Sequence, residues 1–283
     1  MLTMKIAFIG AGSMAEAIMA GLLKKEICIK EDITVTNKQD QLRLENLEDK
    51  YGVSITENKE TALKDADVIF LAMKPKDAKD GIQAIKSYVK KEQLIVSVLA
   101  GISSESIQEL FGQNLRVIRS MPNTSAAIGL SATAIAKGAH ATDKDLILVQ
   151  SLFSAIGLCT IVEEDQLHAV TGVSGSGPAY IYYIAEAMEK AALAQGLDVE
   201  VAKKLVSQTL IGAAHMLQET DKDAEVLRRE VTSPGGTTQR GISLLDEGKV
   251  SEAFESCIEG ATERSREMGE EMAEKLKEKA SNK

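Results

Sequence analysis

The chain has 283 residues, 44% of them hydrophobic and 27% charged, with a formal net charge of -9 and only 4% aromatics, none of them Trp. That is the composition of a soluble globular protein, long for one domain and comfortable for two. The acidic balance and the few aromatics argue against nucleic-acid binding, by phosphate contacts or by base stacking. Three cysteines (Cys28, Cys159, Cys257) and three histidines (His140, His168, His215) are scattered. They offer no disulfide framework and no metal-ligand spacing, and each Cys is expected to sit as a small apolar residue. No apolar run reaches membrane-spanning length, and no signal-peptide pattern precedes the first strand. The expected setting is a reducing cytoplasm, without membrane or nucleic-acid partners.

Along the first half, strand and helix signals alternate. Lys5–Ile9 is an apolar run ended by glycine, and Met14–Leu23 carries helical spacing. Ile33–Thr36 is β-branched, and Val53–Ile55 is a shorter strand candidate. Val68–Ala72 and Leu94–Val98 are continuous apolar runs, expected to be buried on both faces. Arg116–Arg119, Ala132–Ala136 and Cys159–Val162 complete the strand candidates. This alternation predicts a doubly wound sheet with right-handed crossovers.

After about residue 164 the strand-like runs stop. Alanine-rich helical patterns cover Ala179–Gln195 and Val199–Leu217, and Ser251–Lys279 is amphipathic and rich in Glu and Lys. Glu271 and Lys275 stand there at i,i+4 in the favourable order. The helical half has apolar faces on most segments, including Ile211 and Leu217, and is expected to bury the surplus against a second copy, giving at least a homodimer.

Gly10-Ala11-Gly12-Ser13-Met14-Ala15 lies between the first strand and the first helix. It is a GxGxxA form of the dinucleotide fingerprint: a tight turn at Gly10, close pyrophosphate approach at Gly12, and close helix packing at Ala15. It identifies the first half as a Rossmann-type domain. NAD-preferring folds end the second strand in a carboxylate for the ribose 2′-hydroxyl. Here Asn37-Lys38 stands there, so no carboxylate repels a 2′-phosphate, and Lys38 either pairs with one or is a solvated surface lysine. The expected cofactor is NADP, with NADPH preferred and NADH possible. Ala72-Met73-Lys74-Pro75, Val98–Gly101 and Met121–Thr124 end successive strands at the edge where such sheets bind ligands, with Pro75 keeping Lys74 extended.

Two further glycine clusters lie in the second half. Thr171–Tyr180 (TGVSGSGPAY) exposes backbone amides ahead of a helix with Pro178 in its first turn. Ser233-Pro234-Gly235-Gly236-Thr237-Thr238 is followed by a helix opening at Gln239. It reads either as an anion site of bare amides and hydroxyls at a helix start, or as a glycine turn joining two helices.

The first of these clusters resembles the interdomain segment of the β-hydroxyacid dehydrogenases, in which a catalytic lysine follows the last glycine by four positions. This chain has Ile181 there. Alcohol oxidation or ketone reduction needs a proton relay, whereas an imine can arrive already protonated at nitrogen. The missing lysine therefore favours C=N over C=O chemistry. Taken together, Gly10–Met14, Ala72–Pro75, Met121–Thr124, Ser174–Tyr180 and Val231–Thr238 resemble the pyrroline-5-carboxylate reductase family, over essentially the whole chain and in the same order. Two departures concern loop stiffness. Ser125 stands where the family usually has proline, and Asp223-Ala224 where it often has His-Pro.

The resemblance implies an α/β protein: a dinucleotide-binding domain over 1–163, then an all-α substrate-binding and dimerisation domain over 164–283. The implied reaction is NAD(P)H-dependent reduction of Δ1-pyrroline-5-carboxylate to L-proline. The expected cofactor residues are Gly10, Ala11, Gly12, Ser13, Met14, Asn37, Lys38, Asn58, Ala72, Met73, Lys74 and Pro75. Ser176, Ser233, Gly235, Gly236, Thr237 and Thr238 are expected to bind the substrate. The glycine amides would hold its carboxylate, and Thr238 is the expected catalytic residue, beside the ring nitrogen. No metal is expected, and family resemblance suggests dimers assembled into a decamer. Reduction of another cyclic imine acid or a β-hydroxy acid, and a non-catalytic nucleotide sensor, are the competing readings.

Overall fold

The computed structural model describes residues 4–281, with side chains through residue 274. Lys275 lies outside the described side chains, so the expected Glu271–Lys275 pair does too. The first half runs β1 (Ile6–Ile9), α1 (Ser13–Lys24), β2 (Ile33–Thr36), α2 (Gln41–Tyr51), β3 (Ser54–Ile55), α3 (Lys59–Leu63), β4 (Val68–Leu71), α4 (Ala78–Gln83), β5 (Leu94–Ser97), α5 (Ser104–Phe111) and β6 (Arg116–Met121). Then come β7 (Ser131–Lys137), α6 (Asp143–Phe153), β8 (Gly157–Ile161) and α7 (Leu167–Val170). The rest is helical: α8 (Gly177–Ala194), α9 (Val199–Glu219), α10 (Ala224–Glu230), α11 (Thr237–Glu247) and α12 (Val250–Ser281).

The eight strands form one sheet in the order β3-β2-β1-β4-β5-β6-β7-β8. β1 to β6 are mutually parallel, so their C-terminal ends share one edge. The order reverses beside β1, which sets a topological switch point there. β7 runs antiparallel to β6, and β8 follows β7 in parallel. The link from β6 to β7 holds only a short 3₁₀ turn, Thr124–Ile128, too short for the crossover a parallel pair requires.

Every residue of β1, β4 and β5 is buried, because helices cover both faces of the sheet. On one face Phe8 stacks on Phe70 at 4.7 Å, and Phe153 of α6 meets Phe70 edge-on at 6.0 Å. On the other, Ile69, Leu71, Ile95 and Val117 pack with Ile82 of α4 and with Ile107 and Phe111 of α5. Local signals set the helix ends. Asp40, Asn58 and Ser103 accept first-turn amides of α2, α3 and α5, and a reciprocal Thr142–Asp145 box opens α6.

The chain divides into two compact units. One runs to Ser176 and resumes at Glu259; the other is Gly177–Ile258. This differs from a division after residue 163, because residues 164–176 are tied to the sheet unit. Glu164 accepts from the Ser104 amide at 2.7 Å and from buried Arg119 at 3.1 Å, and Leu167 packs on Ala134 and Ala136. The C-terminal part of α12 belongs there too. Met272 packs against the sheet core, and Ser265 Oγ is 3.0 Å from His168 Nδ1. Burial, then the Arg119 charge, pushes the His168 imidazole down from its ordinary pKa.

The second unit holds α8 to α11 and the start of α12. Its interior is sparse: α8 buries no residue and α9 buries only Ala202 and Val206. Cys28 and Cys159 are buried as expected, and burial pushes their thiols up to about 11 and about 12. Cys257 departs from that expectation, because its stretch of α12 leaves it exposed.

Candidate active site

The nucleotide fingerprint sits at the sheet's C-terminal edge. Gly10 follows β1 with φ +114, and its amide donates to Thr36 O at 2.8 Å. A Cβ at Gly10 would lie 2.5 Å from Ala72 O, so only glycine lets the β1–α1 turn pass the end of β4. Gly12 is the N-cap of α1 and contributes no side-chain cap, so the amides after it stay open, and Ser13 and Met14 form the first turn. This is the anion-binding arrangement of a helix start.

Among the expected cofactor residues, Gly10, Asn37, Lys38 and Met73 line one cleft, together with Thr36, Lys59, Asp77 and Asp80. Thr36 Oγ1 is buried and is the one such side-chain polar atom without a partner among the described residues. A turn only glycine can fill and a residue with an orphaned hydroxyl line this cleft, and an open helix start follows the turn directly, which fits a dinucleotide with its ribose at the end of β2. Ala72 is buried, and Lys74 is exposed and extended (ψ 144) ahead of Pro75.

The other predicted cofactor residues have more specific roles. The Asn37 side chain closes the β2–α2 turn, donating through Nδ2 to Asp40 O at 2.7 Å and accepting the Asp40 amide at 3.0 Å. Asn58 caps α3 by accepting from the Thr61 amide at 3.0 Å. Lys38 is exposed, its Nζ 4.0 Å from an Asp80 carboxylate oxygen.

Sequence reasoning missed a support behind the glycine loop. Arg43 of α2 donates through Nε to Ala11 O at 2.8 Å and forms an ion pair with Glu16 in the first turn of α1. Lys50 and Tyr51 both donate to Glu16 Oε1 at 2.9 Å. The Lys50 ammonium, then the Arg43 guanidinium, hold the Glu16 carboxyl down to about 2. The only sequence signal was an acidic residue in a first helical turn, which complements the helix dipole.

Buried Asn123, in the loop after β6, donates through Nδ2 to Ser174 O at 3.1 Å. It thereby joins the third edge loop to the glycine cluster. Its Oδ1 accepts the Ser125 amide at 3.1 Å, a donor that the family's usual proline lacks. Thr171–Gly175 forms a π-helical turn closed by the Ser176 amide on Thr171 O at 2.8 Å, and Ser176 is half-buried. π-turns of this kind recur at functional sites.

The Ser233–Thr238 loop belongs to the second unit. Pro234 and Gly235 (φ +72) make a turn closed by the Gly236 amide on Ser233 O at 3.0 Å. The Gly235 amide donates to Gln239 Oε1 at 2.6 Å. Both glycine amides are therefore engaged within the loop, in contrast to the expectation that they face a carboxylate. The open amides belong to Thr237 and Thr238, the first two residues of α11, and both threonines are exposed.

Six parallel strands with a glycine turn and an open helix start at their switch point define a dinucleotide-binding protein. A family model described as NADP oxidoreductase coenzyme F420-dependent matches residues 5–101, and one for pyrroline-5-carboxylate reductase dimerisation matches residues 164–268. The chain is 49% identical over 255 residues to pyrroline-5-carboxylate reductase 2 of Bacillus subtilis (strain 168), covering 90% of this chain and 91% of the relative. It is 39% identical to the Arabidopsis thaliana enzyme over 91% of this chain and 92% of that one. The solved structure of the Coxiella burnetii pyrroline-5-carboxylate reductase superposes with a TM-score of 0.89 at 35% identity, covering 94% of this chain and 99% of that chain. The Plasmodium falciparum pyrroline carboxylate reductase, solved with NADP bound, gives 0.84 at 26% identity over 95% and 99%. The chain belongs to the pyrroline-5-carboxylate reductase family.

Proposed function

We infer that this protein catalyses the NAD(P)H-dependent reduction of Δ1-pyrroline-5-carboxylate to L-proline, the last step of proline biosynthesis. The observation that carries this is a dinucleotide cleft at the switch point of the sheet, in a chain 49% identical over 90% of its length to a pyrroline-5-carboxylate reductase. When bound, the reduced nicotinamide supplies the hydride that the C=N carbon receives.

The residues of this chain bind and orient. The open amides of α1 after Gly12 and the β1–α1 turn cradle the pyrophosphate, while Ala72 to Pro75 and Asn58 flank the cofactor. At the start of α11 the Thr237 and Thr238 amides, with the Ser233 hydroxyl, receive the substrate carboxylate, and Gly235 and Gly236 shape the turn that bares them. Ser176 lines the substrate from the glycine cluster. Thr238 Oγ1 hydrogen-bonds the ring nitrogen and fixes which ring face is presented. Catalysis is then positioning and electrostatics, which suits an imine that arrives protonated.

NADPH is the preferred reductant, because β2 ends without a carboxylate. The protein is a homo-oligomer, in dimers formed through residues 164–283 and assembled further into a decamer. Among the described residues no helix is long and apolar enough to cross a membrane, and a cytoplasmic setting accords with the two buried, unpaired thiols. Steady-state kinetics with pyrroline-5-carboxylate and each nicotinamide tests the reading. Proline should form at a higher kcat/KM with NADPH than with NADH, and failure to turn over with either overturns it.

A further inference from the structure

We propose that Lys59, at the start of α3, is the residue that recognises the 2′-phosphate of the cofactor and so sets its selectivity. This rests on the NADPH preference argued above. The position that reads the 2′ group in dinucleotide folds is the end of β2. Two lysines reach the cleft there, Lys38 and Lys59. Lys38 is exposed, and its ammonium is 4.0 Å from Asp80. Lys59 is half-buried, and its Nζ stands over the end of β2, 3.4 Å from Asn37 O and 3.3 Å from Glu57 O. These are long contacts to neutral carbonyls, and among the described residues no ion pair joins Lys59 to a carboxylate. One of its three ammonium donors has no acceptor in the protein, and the other two are weakly engaged.

The neighbouring groups favour the same residue. The Asn37 side chain is spent on its own turn, and Asn58 Oδ1 on the cap of α3. The carboxylates of the cleft belong to the start of α4, Asp77 as its N-cap residue and Asp80 in its first turn, and Lys38 offsets Asp80. Lys59 is thus the cation without a carboxylate partner at the point where NAD-preferring folds place an acid. A phosphate there exchanges two long contacts to neutral carbonyls for hydrogen bonds in which donor and acceptor are both charged.

Calorimetric titration with NADP⁺ and NAD⁺, without substrate, reads this independently of turnover. Lys59→Ala should weaken NADP⁺ binding by about tenfold or more, leave NAD⁺ within about twofold, and flatten the salt dependence of NADP⁺ binding. Lys59→Arg should restore most of the NADP⁺ affinity, and Lys38→Ala should change it by less than Lys59→Ala does. Equal weakening of both nucleotides in Lys59→Ala, or a larger selective loss in Lys38→Ala, overturns the assignment while leaving the NADPH preference standing. A wild-type protein that binds NAD⁺ as tightly as NADP⁺ overturns the preference itself, and the assignment with it.

Discussion

Arg43 reaches from α2 to the main-chain oxygen of Ala11, 2.8 Å from its Nε, so the glycine turn is held by a side chain more than thirty residues downstream. The guanidinium also pairs with Glu16, which in turn receives Lys50 and Tyr51. The turn and the first helical turn of α1 are thereby fixed to each other and to α2. Preorganisation of this kind lowers the cost of ordering the loop when a dinucleotide binds. Arg43→Ala removes a bond to a backbone carbonyl and half of an ion pair, a loss of about 1–3 kcal/mol. The dissociation constant for NADP⁺ and NAD⁺ alike should rise by about tenfold. An unchanged affinity in a titration would remove Arg43 from the cofactor site.

The same cluster sets a pH dependence. The folded-state pKa of Glu16 is held at about 2, below its ordinary 4.5, by Lys50 first and then Arg43. A depressed carboxyl pKa contributes stability that is present above about 4.5 and lost as pH falls toward 2. Glu16→Gln has no proton to gain in that window. Melting temperatures measured from pH 6 to pH 2 should therefore fall less steeply for Glu16→Gln than for the wild type. Parallel curves would mean that Glu16 is not a source of the acid sensitivity.

Much of the scaffold was legible in the chain, and the reasons are physical. Val68–Leu71 and Leu94–Ser97 are strands covered on both faces, so their apolar runs are continuous and their positions could be read directly. The direction of β7 could not be read from a strand's own residues; it follows from the short link after Met121, a constraint on the connection. At the site, glycine spacing located the turns but not the use of their amides. That the Gly235 amide is spent on Gln239 depends on where one side chain folds back. Arg43 and Lys59 were hidden for a similar reason. Each sits in a polar stretch indistinguishable by pattern from solvated surface, and only the packing of α2 and α3 beside the sheet edge turns them inward.

Asn123 joins the edge loop after β6 to the π-helical turn through Ser174 O and holds the Ser125 amide with its other end. None of its hydrogen bonds goes to the first glycine turn or to Lys59. Asn123→Ala removes the partner of a half-buried carbonyl and of a half-buried amide, at a cost of about 1–3 kcal/mol. The effect should fall on the geometry of Ser174 to Ser176, raising KM for the imine several-fold with the dissociation constant for NADP⁺ held within about twofold. A change confined to cofactor affinity would contradict that placement.

Thr238 occupies the second position of α11, where the helix leaves its amide open, and the residue is exposed. Thr238→Ala keeps the amide for the carboxylate and removes only the hydroxyl. Turnover should drop by about tenfold to a hundredfold, the range of one lost hydrogen bond to a group of developing or full charge. Thr238→Ser should recover most of it, and cofactor affinity should be nearly unaffected in both. Reduction at the wild-type rate in Thr238→Ala would show that the hydroxyl plays no part.

The second unit lacks a core of its own, which ties its stability to association. Leu205 of α9 is 54% exposed beside the buried pair Ala202 and Val206, and Ile181, Tyr182 and Tyr183 of α8 are exposed as well. A symmetric interface buries each such residue twice. Burying one leucine side chain contributes about 1.5–3 kcal/mol, so Leu205→Glu removes roughly twice that from each dimer. The dimer dissociation constant should then rise by about a hundredfold or more. Light scattering behind size exclusion should report a lower mass than the wild type at the same concentration. Because the sheet unit has its own core, NADP⁺ binding should persist in the dissociated protein, which separates lost association from global unfolding. A wild-type mass for Leu205→Glu would place the interface on another face of the helical unit.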